Sequence, residues 1–140
     1  MKISLNRISE PYQFEARNES GNTVSIDAGA SIGGGGNGAR PMELLIMGLG
    51  GCSGIDIVTI LNKQKQKIDS FQIEIDAERE TGKPANLFQE IHIRFILEGS
   101  IEKDKLEHAI SLSMDKYCSV AKTLEKTAKI THSYVLNGEK

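Results

Sequence analysis

The chain is poor in what several protein classes require. Two cysteines in 140 residues, 66 positions apart (118 − 52), are too few for a disulfide scaffold, and in a reducing compartment a lasting bridge between them is not expected. Seventeen basic against 19 acidic side chains leave a net charge of −2, so the basic footprint of a nucleic-acid binder is missing. The only long uninterrupted apolar stretch, residues 44–55 between Glu43 and Asp56, has 12 residues. A membrane span needs about 20, so this stretch reads as a buried helix and no membrane partner is expected. The chain does not open on a positively charged segment followed by an apolar run and a cleavage site, which makes a cytoplasmic location the expectation. There is no linker and no internal repeat. What is there, 39% hydrophobic and 26% charged residues, is an ordinary globular mixture, and the length fits a single domain, 1–140.

Apolar residues alternate loosely over the first 28 positions: Ile3 and Leu5, then Tyr12, Phe14 and Ala16, then Val24, Ile26 and Ala28. Breaks at Glu10-Pro11 and Ser20-Gly21-Asn22 predict three short antiparallel strands. Residues 29–40 hold six of the 14 glycines, including the run 33–36, which predicts a mobile surface loop. Pro41 suits a first helical turn, and Lys63, Lys65 and Lys67 suit a helix C-terminus, so one long central helix is expected from Pro41 to about Gln66. Phe71, Ile73, Ile75 and Ala77 alternate with polar residues, as do Ile91, Ile93, Phe95 and Leu97, around a Thr81-Gly82-Lys83-Pro84 turn. This is a hairpin with one buried face. Leu106, Ala109, Ile110, Met114 and Tyr117, then Val120, Ala121, Leu124 and Ala128, recur at helical steps. They predict two amphipathic helices meeting at Cys118, the second capped by Ser119. Residues 130–136 close as a strand, and the order of elements argues for an α+β fold.

Cys52 lies in GGCSGIDIVTIL, after two glycines that each cost roughly 1 kcal/mol in a helix interior relative to alanine. Small residues there let another element, or a substrate, approach the backbone closely. Each cysteine taken alone reads first as a small buried hydrophobe. Together, at inward-facing positions, they suit a pair in which one thiolate attacks and the other captures its oxidised form. Asp56, one turn after Cys52, opposes thiolate formation, so such chemistry requires a cation, preferably arginine. Residues 33–38 match G-x-G-x-x-G formally, but the preceding strand alternates and the loop is long, which excludes the dinucleotide turn. His92, His108 and His132 show no ligand spacing, and with two cysteines they form no zinc pattern. Each is expected on the solvated surface, with no metal and no cofactor. A Cys-His hydrolase pairing lacks any flanking signature.

PMELLIMGLGGCSGIDIVTIL around Cys52 and KYCSVAKTLEK around Cys118, followed by ITHSYVL, resemble the OsmC/Ohr family of osmotically induced and organic hydroperoxide resistance proteins. The resemblance covers nearly the whole chain, with both segments in the family's order. It implies an α+β fold in which curved antiparallel sheets wrap long central helices in an intertwined homodimer, with active sites at the interface. It implies too that Cys52 is the reactive cysteine, that Cys118 resolves it, and that a dithiol such as a lipoyl group recycles the pair. The peroxidase pattern has glutamate directly after the proline, whereas here Met42 stands there and Glu43 follows, a form that resembles a less characterised P-M-E branch. Ten helical residues rise about 15 Å, so Glu43 can reach Cys52 only from a neighbouring subunit. By position Arg17 best matches the family arginine, and Arg40 is the alternative.

These readings make thiol-dependent reduction of organic hydroperoxides the leading expectation, with Cys52, Cys118, Arg17 and Glu43 as site residues. The rival is a non-enzymatic dimer of the same fold that binds a small ligand or senses redox state. A homodimer is expected from the residues as well: the helix from Leu44 to Leu61 is apolar on several faces, and one subunit's sheet covers only one of them.

Overall fold

Alternation over the first residues builds a three-stranded antiparallel meander. In the computed structural model, which describes residues 1–139, the strands are β1 (Ser4–Ser9), β2 (Gln13–Arg17) and β3 (Thr23–Ile26), in the order β1-β2-β3. Phe14 pairs with Ile26, and Ala16 with Val24. With the loop that follows they make up a first compact unit, Met1–Leu45; a second begins at Ile46.

The glycine-rich loop differs from the mobile segment its composition suggests. Buried Asp27 accepts backbone N–H bonds from Ala28 (2.7 Å) and Asn37 (3.1 Å). Asp27 and Ala39 also join the main chains, Asp27 donating to the Ala39 carbonyl at 3.0 Å and Ala39 to that of Ser25 at 3.1 Å. A Cβ on Gly34 would lie 1.8 Å from the Ala28 oxygen, and one on Gly38 2.6 Å from the Ser25 carbonyl carbon. The glycines are there because two backbones pass too close for a side chain.

A helix of 23 residues, α1 (Pro41–Lys63), follows. It stops three residues short of the expected end. Lys65 takes the left-handed conformation at φ 58°, Gln66 N–H bonds the Leu61 carbonyl at 2.9 Å, and Lys65 N–H bonds that of Asn62 at 3.0 Å. This is the paired C-terminal closure that glycine usually provides. Because apolar residues continue past Asp56, an 18-residue window of α1 reaches a mean hydropathy of 2.0, and the helix is long and apolar enough to cross a membrane by length and composition. The uninterrupted stretch of 12 understated it. Leu49, Ser53, Ile57 and Leu61, at steps of four, form its buried stripe.

The second unit's sheet consists of β4 (Lys67–Arg79), β5 (Phe88–Ser100) and β6 (Lys129–Leu136), in that order. β4 and β5 form the expected hairpin, with Ile73 opposite Phe95 and Ile75 opposite Ile93. Ile91, Ile93, Phe95 and Leu97 are at most 1% exposed, and the Phe71 and Phe95 rings lie 6.3 Å apart. β6 runs parallel to β5, which corrects the expectation of purely antiparallel sheets. The residues between them form α2 (Lys103–Leu112), a π turn (Ser113–Tyr117) and α3 (Ser119–Leu124), a crossover that returns the chain to the end from which β5 started. Leu106, Ala109, Ile110 and Ala121 bury the crossover's inner side.

Candidate functional site

Two glycines of α1 let the helix approach β4. A Cβ on Gly50 would meet Ile75 Cδ1 at 3.2 Å, and one on Gly54 would meet Ile73 Cδ1 at 3.0 Å, while Gly51 has nothing within 4 Å. The sheet thus comes close to the α1 backbone at Gly50 and Gly54, nearly opposite Cys52 around the helix. The cysteine flanks the buried stripe and is half-buried, as is Asp56 one turn on.

Cys118 reaches the same place from the crossover. It is fully buried between the π turn and α3, with its N–H bonded to the Ser113 carbonyl at 2.8 Å. Its sulfur, rather than the expected Ser119 hydroxyl, caps α3 by accepting the Ala121 N–H at 3.4 Å. Cys52 Sγ, Cys118 Sγ and an Asp56 carboxylate oxygen all lie within 4.8 Å of one another, and both thiols are free. Ser113 Oγ donates to Asp56 Oδ2 at 2.9 Å. Burial pushes the Cys118 thiol up to about 11; the Ala121 N–H pulls the other way, and the adjacent Cys52 sulfur adds to the rise. A cavity of about 600 Å³ adjoins the cluster, lined by Asp56, Thr59, Ile60, Lys63, Leu112 and Tyr117 among others.

The other expected site residues lie in the first unit. Arg17, at the end of β2, pairs with Glu15 at 3.0 Å and donates to the Gly21 carbonyl at 3.3 Å. Arg40 pairs with Glu43 at 3.5 Å. Glu43 also accepts the Arg40 backbone N–H at 2.8 Å, the main reason its carboxyl is held below the usual range, with the guanidinium charge helping. The structure thus brings Cys52 and Cys118 together, and separately Arg40 and Glu43. Ser113 was not foreseen: it lies 57 positions from Asp56, and nothing distinguishes it locally from other small residues of an amphipathic helix. Among the histidines, His92 departs from the expected solvated state, being half-buried with Thr131 Oγ1 at 2.7 Å and Ser133 Oγ at 2.9 Å.

The model of the family described as OsmC-like protein matches residues 34–133, a span that includes both cysteines. The chain belongs to the OsmC-like family. Its similarity to Escherichia coli K12 protein YhfA amounts to 39% identity over 126 residues, 89% of this chain and 90% of that protein. A hypothetical protein of Aquifex aeolicus VF5 has a crystal structure that superposes with a TM-score of 0.83 at 30% identity, over 96% of this chain and 94% of that one. An organic hydroperoxide resistance protein of Elizabethkingia anophelis superposes with a TM-score of 0.69 at 12% identity, over 98% and 97%; at that identity the likeness is one of fold. The fold of this chain is the mixed α+β arrangement of OsmC/Ohr proteins.

Proposed function

We propose that this OsmC-like protein is a thiol-dependent peroxidase acting on organic hydroperoxides, working as a homodimer in oxidative stress defence. The observation that carries the reading is the placement of two free sulfurs, one half-buried and one buried, within 4.8 Å of each other. Cys52 as thiolate attacks the terminal oxygen of ROOH. The O–O bond breaks, the alkoxide leaves as ROH after taking a proton, and Cys52 becomes a sulfenic acid. Cys118 attacks that sulfur, releasing water and forming a disulfide, which an external dithiol of the lipoyl type reduces by exchange. A disulfide has an S–S length of about 2.05 Å, so closure needs side-chain movement of a few ångströms at most.

Cys118 suits the resolving role because its buried sulfur lies within 4.8 Å of Cys52 Sγ and is kept from solvent-borne peroxide; its thiol gives its proton to the hydroxide that leaves Cys52 as the disulfide forms. Cys52, nearer the surface, suits attack. Arg17, paired with Glu15, is assigned the cation that favours the Cys52 thiolate, with Arg40 second, whose guanidinium Glu43 orients. Apolar side chains exposed on α1, Met47 and Ile55 among them, favour a carbon-bearing peroxide over hydrogen peroxide, since each buried CH₂ contributes about 0.8 kcal/mol. They also support the dimer, for which they provide an apolar face.

One equivalent of cumene hydroperoxide added to the reduced protein, followed by thiol counting and peptide mass spectrometry, tests the pair. The expected result is loss of both thiols and a 52–118 disulfide. Persistence of both thiols overturns the reading in favour of a ligand-binding dimer.

A further inference from the structure

We propose that Cys52, Asp56 and Cys118 form a binding site for a thiophilic divalent cation of the zinc class. Spacing along the chain hides it, because only Cys52 and Asp56 are near each other in sequence. Four residues apart on α1, they share one helix face, and the crossover between β5 and β6 brings in Cys118 as the third donor. Two thiolates and one carboxylate are the donor types zinc prefers, with metal–sulfur bonds of about 2.3 Å and metal–oxygen bonds of about 2.1 Å. In a tetrahedron these lengths place the sulfurs about 3.8 Å apart and each sulfur about 3.6 Å from the oxygen. The three donor atoms already lie within 4.8 Å of one another, so a contraction of about 1 Å, within reach of side-chain rotation, completes three corners. Cys52 and Asp56 are half-buried, and the fourth corner is left for water or a small anion.

The outer contacts suit a cation as well. Ser113 holds Asp56 Oδ2 at 2.9 Å, which orients the carboxylate. The Ala121 N–H directed at Cys118 Sγ, 3.4 Å away, disperses negative charge from a bound thiolate. Such second contacts are what fix metal ligands in position. A cation here ties α1 to the α2–α3 junction and engages the two sulfurs that a disulfide would consume. Metal-bound and disulfide forms of the protein therefore exclude each other, so the site links metal occupancy to the redox state of the thiols.

The inference uses the sulfurs of the proposed peroxidase but does not depend on that reading, and its test contains no peroxide. Reduced full-length protein, stripped with a chelator, is titrated with Zn²⁺ against a chromophoric competitor and separately with Cd²⁺, following the thiolate-to-metal charge-transfer absorption. The expected result is one ion per chain and an absorption of two Cd–S bonds. Cys52→Ser and Cys118→Ser each halve or abolish that absorption, Asp56→Asn weakens Zn²⁺ binding at least about tenfold, and Ser113→Ala about tenfold. Circular dichroism establishes that each variant is folded, and Asp56→Asn, which keeps the side chain's shape, serves as the decisive variant. Failure of the wild type to retain Zn²⁺ against the competitor overturns the site, as does equal affinity in wild type and Asp56→Asn.

Discussion

At the scale of residues, the chemistry rests on an asymmetry between two cysteines. Cys118 is fully buried and its thiol is pushed up to about 11, chiefly by that burial, whereas Cys52 is half-buried. A group with a raised thiol pKa stays protonated through neutral pH, and only the thiolate is alkylated. Iodoacetamide at pH 7.5, with a chelator present, is therefore expected to modify Cys52 first and Cys118 only after denaturation; peptide mapping that finds Cys118 modified first contradicts this. The Ser113 bond to Asp56 bears on the same cluster. Replacing Ser113 by alanine removes a hydrogen bond to a charged group and is expected to cost about 1 to 2 kcal/mol, read from the urea midpoint. Both cysteines were legible as candidates because they sat at inward-facing helical positions, and Asp56 was visible as a neighbour one turn away. Ser113 was not, since its role arises from a contact across 57 positions that no local pattern encodes.

At the scale of elements, the period of apolar residues carried most of the information. Alternation marked β1 to β5, and steps of three and four marked the helices flanking Cys118. What periodicity could not carry was direction and termination. β6 reads as a strand from its own residues, but its parallel pairing with β5 follows from the crossover that precedes it. The end of α1 was misplaced because its closing left-handed residue is Lys65, where glycine would have signalled the stop. A lysine in that conformation is strained by roughly 1 kcal/mol, so Lys65→Gly is expected to raise stability by about that amount in thermal melts. The glycines of α1 divide differently. Gly54→Leu must displace Ile73, whose Cδ1 would lie 3.0 Å from the new Cβ, and is expected to destabilise by about 1 to 3 kcal/mol. An unchanged urea midpoint for Gly54→Leu would mean that helix and sheet do not pack as described. The loop of residues 29–40 shows the limit of composition: glycine content signals absent side chains, and only the structure distinguishes freedom from close packing.

At the scale of the whole molecule, α1 presents Leu45, Met47, Ile55 and Val58 at 36% exposure or more, on a helix whose other stripe is core. A face of that size left in water is costly, and covering it is the physical argument for the proposed dimer. Light scattering is expected to return twice the mass of one chain at micromolar concentration, and Met47→Glu combined with Ile55→Glu to return the monomer. The central claim is that Cys52 and Cys118 together reduce organic hydroperoxides. Consumption of cumene hydroperoxide by the purified, metal-free protein with dihydrolipoamide as reductant, followed for wild type, Cys52→Ser and Cys118→Ser, tests it most directly. The account predicts sustained turnover in wild type, none in Cys52→Ser, and in Cys118→Ser a single stoichiometric oxidation with turnover largely lost; equal rates in all three would contradict it.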